Sequence, residues 1–194
     1  FPIAGRLKGK GDAALAGTDV DIVLGGSLAA LTLDGGGKAG AARFTGRASL
    51  APLAAAPLRE AALEATGIDL SAWNSALPST GLTVAVRAGS ADGAIAGTIE
   101  AANAAPGSID AGRLPLSTLA AHFAWRDDAL SLDAITAALA GGGTLAGQGR
   151  IPLGVPGTAG SWTLDAHDAD LKQIYAPLVA TRLSRKLIAD LDTR

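Results

Sequence analysis

The sequence predicts an all-β chain with a few short helices, laid out as an elongated, curled antiparallel sheet. Three observations predict it. Apolar and polar residues alternate with period two along most of the chain, the mark of strands with one apolar and one polar face. Clusters of Gly, Asp and Pro break the alternation at short intervals, as hairpin connections do. Finally, the chain repeats itself. Leu63-Glu64-Ala65, Asp69-Leu70, Leu77, Thr80 and Leu82 return as Leu164-Asp165-Ala166, Asp170-Leu171, Leu178, Thr181 and Leu183 at a constant offset of 101 residues. Phe44, Gly46 and Leu50 fall on Leu145, Gly147 and Ile151 at the same offset. One unit used twice, with approximate limits 41–84 and 142–185, implies units stacked side by side to bury a face neither can bury alone.

In chain order, the first strand signal is Val20-Asp21-Ile22-Val23-Leu24. Gly9-Lys10-Gly11 before it and Gly35-Gly36-Gly37 after it read as turns. Phe44, Gly46, Ala48 and Leu50 then share a face opposite Arg43, Thr45, Arg47 and Ser49. Leu82, Val84 and Val86 oppose Thr83 and Arg87; beyond the turn Ala91-Asp92-Gly93, Ile95, Gly97, Ile99 and Ala101 oppose Thr98 and Glu100. Leu119, Ala121, Phe123 and Trp125 oppose His122 and Arg126. Past Arg126-Asp127-Asp128, Leu130 and Leu132 oppose Ser131 and Asp133. After Gly141-Gly142-Gly143, Leu145 and Ile151 oppose Gln148 and Arg150; after Pro156-Gly157, Trp162 and Leu164 oppose Thr163, Asp165 and His167. Gly46, Gly97, Gly147 and Gly149, inside strands, suit the bends and bulges of a sheet that curls.

Two segments change period, and both belong to the repeat. After Asp69, apolar residues fall at Leu70, Trp73 and Leu77; after Asp170, at Leu171, Ile174, Tyr175 and Leu178. That spacing is helical, with each Asp as N-cap, and predicts two short amphipathic helices capping apolar strand surface.

Composition narrows the function. Hydrophobic residues reach 48% but aromatics only 4%, and Gly numbers 26, so apolar surface is spread over small side chains, which suits a thin layer better than a deep core. A net charge of −2 gives no reason to expect nucleic acid; Arg182, Arg185 and Lys186 read as a solvated segment end. With no cysteine, disulfides and thiolate metal sites are excluded. No metal and no cofactor are expected: His122 and His167 sit on polar faces without a partner at metal spacing, and Asp127-Asp128 reads as a hairpin tip. There is no Gly-x-Ser-x-Gly elbow and no Gly-Lys-Ser/Thr after the Gly runs. Glu64 and Asp165 recur as one outward position, not as an acid–base pair. The chain reads as non-enzymatic. It opens on Phe1-Pro2 in mid-pattern and holds no Met, so it reads as a segment of a larger protein.

Gly67-Ile68-Asp69-Leu70-Ser71-Ala72-Trp73, Leu77-Pro78-Ser79-Thr80, the run 107–116 and Gly142-Gly143-Thr144-Leu145-Ala146-Gly147-Gln148-Gly149 resemble the TamB family. These are translocation and assembly module inner-membrane proteins of Gram-negative bacteria, in the AsmA-like group. Ser184-Arg185-Lys186 departs from the family pattern, which often carries Gly before the Lys. The resemblance implies a periplasmic β-taco with an apolar interior groove, part of a protein anchored in the inner membrane and similar to bridge-like lipid transfer proteins. It also implies phospholipid acyl chains as cargo and an outer-membrane barrel partner, TamA-like, reached through other parts of the protein.

On this reading the groove is lined by Phe44, Leu82, Val84, Val86, Ile95, Ile99, Phe123, Trp125, Leu130, Leu132, Leu145, Ile151, Trp162 and Leu164. Asp69, Leu70, Trp73, Leu77, Asp170, Leu171, Ile174 and Leu178 belong to the capping helices. Two alternatives stand beside it. One is a chaperone-like module receiving strands of outer-membrane proteins at a sheet edge or in the groove; the other is a β-solenoid adhesin.

Overall fold

A computed structural model describes residues 2–11, 17–91, 93–153, 159–178 and 182–192. Nearly all of them form one antiparallel sheet of 12 strands whose spatial order is the order of the sequence. The strands are β1 (Pro2–Lys10), β2 (Thr18–Ser27), β3 (Ala30–Ala39), β4 (Ala42–Leu50), β5 (Leu58–Ile68) and β6 (Leu82–Ala91), then β7 (Ala94–Asn103), β8 (Leu116–Arg126), β9 (Ala129–Leu139), β10 (Thr144–Pro152), β11 (Ala159–Asp170) and β12 (Arg182–Asp192). β1 and β12 do not meet, so the sheet stays open and is not a barrel. The predicted fold class, an all-β chain with a few short helices laid out as a curled antiparallel sheet, is the one observed.

The turn chemistry acts where the strands reverse. Asp127 and Asp128 join β8 to β9 with φ of 49° and 54°, the left-handed pair a two-residue hairpin needs. Gly141, Gly142 and Gly143 all have positive φ between β9 and β10. Gly35-Gly36-Gly37, however, is not a turn: it lies inside β3. A Cβ on Gly37 would stand 2.8 Å from the Phe44 ring, and one on Gly35 2.9 Å from Ile22. Large neighbours on β4 and β2 fill the space these glycines leave, which sustains a strand the composition disguises. Gly9-Lys10 likewise belongs to β1. Asp92 and Pro156-Gly157 lie outside the described residues.

The predicted helices shrink to single turns. Leu70–Ala72 is one 3-10 turn and Leu171–Ile174 (α1) one α turn, and neither buries a residue. Both Asp residues cap as the spacing predicts: Asp69 accepts from the Ser71 N–H and Asp170 from the Lys172 N–H. What fails is their role as lids. Trp73 is 62% exposed, and Leu77, Tyr175 and Leu178 are exposed too, so these segments do not cover the sheet. A turn so short has no stability of its own and no second turn with which to build an apolar stripe.

The repeat extends into backbone detail. β4, β5 and β6 correspond to β10, β11 and β12. The β5–β6 pairing slips between Ala65 and Ile68, and the β11–β12 pairing slips between Ala166 and Ala169, at the same 101-residue offset. Within each bulge one residue takes positive φ: Gly67 at 67° and Asp168 at 54°. Thr181 lies outside the described residues, but Thr80 shows how the first copy is tied. Its hydroxyl accepts from the Leu70 N–H (3.0 Å) and its own N–H donates to Asp69 (2.9 Å).

Candidate functional site: the apolar face

In an antiparallel sheet, residues opposite one another project from the same face. Following the register strand by strand therefore assigns every position to a side. All of the predicted groove residues come out on one face. One row runs Phe44, Ala65, Val84, Ala101, Leu119, Ala137, Leu145, Ala166. The next holds Leu63, Val86, Ile99, Ala121 and Leu164, and the next Phe123, Leu132 and Trp162. Ile95, Trp125, Leu130 and Ile151 form a row near one end, and Leu82 lies by Ile68 near the other.

The bulges hold this arrangement together. Between Ala120 and His122, β9 accommodates an extra residue, Ala134, at φ 50°. Without it, Leu130 and Leu132 would lie on the face opposite Ile135 and Ala137, because a one-residue slip inverts every later side chain.

Large and small residues alternate along the first row: Phe44, Val84, Leu119 and Leu145 are separated by alanines. The result is ridged and shallow. Among the described residues, eight of the ten fully buried apolar ones are alanines, and no large side chain is completely enclosed. The groove residues are half-buried, except Trp125, which is 47% exposed. They touch neighbours in the sheet, and among the described residues no second layer covers them. On this face a hollow of about 270 Å³ lies between Val20, Ile22, Leu33, Phe44, Ala48 and Leu63.

The opposite face carries the charges. Arg6 pairs with Asp21 at 2.7 Å, raising the guanidinium pKa and lowering that of the carboxylate, chiefly through this hydrogen bond. His122 and His167 lie exposed on this side, as do Glu64 and Glu100. Sequence reasoning missed one feature here. Thr83, Ala85, Glu100, Thr118, Ala120, Thr136 and Ala138 line a furrow of about 700 Å³, to which Ala101, Leu119, Ala137 and Leu145 of the first row also contribute. The sign of it was the run of alanines among the polar positions (Ala85, Ala102, Ala120, Ala138, Ala146), too small to fill the space between strands.

The ends of β5, β7 and β11 carry a polar rim. Asp69 accepts from Thr80 N–H, Ser71 N–H and the Ser71 hydroxyl, which hold its pKa below the usual Asp value, the Thr80 bond most strongly. Buried Asn103 accepts from Gly81 and Ala105 N–H at 3.1 Å each. Asp110 accepts from the Ala176 N–H at 2.8 Å, joining two loops and lowering its pKa. The network fixes the loops beside the apolar face.

Among the described residues no group of three His, Cys, Asp or Glu could hold a metal, and no helix is long and apolar enough to cross a membrane. No family model, curated protein or solved structure matches the chain.

Proposed function

We propose that this chain is a non-enzymatic segment of a TamB-like periplasmic protein, and that its apolar face forms a groove for the acyl chains of phospholipids moving between inner and outer membrane. The observation that carries the reading is the one-sidedness of the sheet. Every predicted groove residue shares a face that, among the described residues, no second layer covers, in a sheet whose other side carries the charges. Soluble chains rarely leave a large contiguous apolar patch without a ligand or partner for it.

Acyl chains suit this surface. Its alternation of Ala or Gly with Val, Leu and Phe leaves furrows between ridges, and no charged group interrupts the rows from β4 to β10. Burying one methylene contributes about 0.8 kcal/mol, so a dozen contribute on the order of 10 kcal/mol before ordering costs. With no polar anchor among the ridges, a bound chain could change position without breaking a specific bond. The adhesin alternative fits poorly, since a solenoid coils around a closed core whereas this chain is an open antiparallel meander. Strand capture for outer-membrane protein assembly shares the same surface and is separated from lipid carriage by experiment.

The test is native mass spectrometry and lipid extraction of the purified chain, followed by uptake of fluorescent phospholipid after delipidation. Phospholipid is expected to co-purify and to rebind. A chain that emerges lipid-free and takes up no probe refutes the proposal.

A further inference from the structure

At the strand ends opposite the Asp69 rim, the last row of the apolar face, Ile95, Trp125, Leu130 and Ile151, runs into the β8–β9 hairpin. There the chemistry changes abruptly, from Trp125 to Arg126, Asp127 and Asp128. A hollow of about 320 Å³ lies at this corner, lined among others by Pro57 of the β4–β5 loop, Ile95, Trp125, Arg126, Asp127 and Asp128. Its volume is in the lower range of small-molecule sites. Among the predicted groove residues, Trp125 is the one that stands exposed. Both walls of the hollow are held in place. The Leu153 N–H donates to the Asp128 carbonyl (2.6 Å), and the Ala51 N–H donates to that of Pro57 (2.7 Å). The left-handed φ of Asp127 and Asp128 sets the hairpin tip.

We infer that this corner binds the headgroup of a phospholipid whose acyl chains lie on the apolar face, and that it selects a headgroup carrying both a phosphate and a primary ammonium, the phosphoethanolamine group. The inference rests on the lipid-groove reading and adds a specificity site to it. The charges decide the class of ligand. One guanidinium and two carboxylates suit a zwitterion, whereas a purely anionic headgroup would meet two like charges for one opposite charge. Trp125 brings an exposed indole, whose face attracts an ammonium within about 6 Å of the ring centre. The carboxylates of Asp127 and Asp128 can accept from the N–H groups of a primary ammonium, which the methylated ammonium of choline lacks. Arg126 already has a contact within the protein, and its five donors leave others for a phosphate oxygen. The position also fits. Because the apolar row ends here, a chain lying along Ile95 and Trp125 brings its polar end to the corner without setting a phosphate over the ridges.

The test compares uptake, by delipidated protein, of fluorescent phosphatidylethanolamine, phosphatidylcholine and phosphatidylglycerol with identical acyl chains. The ethanolamine lipid is expected to bind about ten-fold tighter than the glycerol lipid, from two exposed carboxylate contacts and one cation–π contact worth roughly two- to three-fold each. The choline lipid should fall between them. Asp127→Asn combined with Asp128→Asn removes both charges and keeps the hairpin, since Asn tolerates left-handed φ as Asp does. That variant should bring the ethanolamine-to-glycerol ratio below about three-fold, and Trp125→Leu should lower the ratio about three-fold while retaining an apolar side chain. Glycerophosphoethanolamine, which has the headgroup and no acyl chains, should compete at least about a hundred-fold more weakly than the intact lipid. Equal uptake of the three lipids, or a ratio that the double Asn variant leaves unchanged, overturns the inference and leaves the groove reading standing. Uptake of none of them refutes the groove and this site with it. Glycerophosphoethanolamine that competes as well as the intact lipid assigns the corner to a free zwitterion and overturns the lipid-headgroup site.

Discussion

Ile99 and Thr98 are neighbours in β7 that project from opposite faces, which makes them a controlled pair. Ile99 is half-buried between Val86 and Ala121 on the apolar face; Thr98 stands between Arg87 and His122 on the polar one. Ile99→Asp places a carboxylate among the ridges, and an acyl chain crossing it must lift away or strip water from the charge. Losing contact over about four methylenes, at ~0.8 kcal/mol each, removes ~3 kcal/mol, or on the order of a hundred-fold in affinity. Desolvation of the carboxylate adds to that. Thr98→Asp adds the same charge less than one strand-width away and is expected to leave lipid uptake within about two-fold, as surface changes do. Because Ile99 is only half-buried, its replacement should cost the fold about 1–2 kcal/mol, which urea titration can verify. Leu132→Asp, between Phe123 and Gly149, should repeat the loss at a second point. The assay is uptake of fluorescent phospholipid by delipidated protein, with binding of a TamA-like barrel measured alongside. If Ile99→Asp and Thr98→Asp reduce uptake equally, or neither does, the apolar face is not the lipid path. If Ile99→Asp abolishes barrel binding and spares lipid uptake, the strand-capture reading takes its place.

Two further expectations concern the scaffold. Gly97→Ala should lower stability by about 1–3 kcal/mol in urea, because a Cβ there would run into the Arg87 carbonyl and stand 2.8 Å from Ala88 Cα; Gly46→Ala, whose nearest neighbour is 3.3 Å away, should cost less. Equal costs at the two sites would refute the close approach. The pKa of Asp69 is depressed by the N–H groups it accepts from, so its stabilising contribution is present above the ordinary Asp range and is lost as pH falls through its folded pKa. The melting temperature should therefore drop below about pH 4, and Asp69→Asn should flatten that drop; identical acid profiles would refute it.

The sequence disclosed the sheet better than the segments between its strands. Period two located Val84, Ile99, Phe123 and Leu164 on a single face, because a residue's side of a strand is set locally. It failed at β3, where Gly35–Gly37 looked like a turn; the side chains that sustain that strand, Ile22 and Phe44, come from its neighbours. It failed at the helices for the converse reason. Leu70, Trp73 and Leu77 have helical spacing, but spacing cannot show that the chain leaves the helix after one turn to set Ser79 beside Arg113.

The open face also bears on what holds the fold together. A sheet ordinarily gains most of its stability from the layer packed on its apolar side. Here, among the described residues, the fully buried apolar set is mostly alanine, and the large side chains are only half covered. The hydrogen-bonded ladder and the polar rim around Asp69 and Asn103 therefore carry a larger share than in a two-layer protein. Whatever covers the ridges supplies the missing layer. A bound acyl chain would stabilise the sheet by the same burial that retains the lipid. Backbone pairing along the ladder leaves the side chains of Val86, Ile99 and Leu132 half covered; only an apolar occupant of the face can complete their burial.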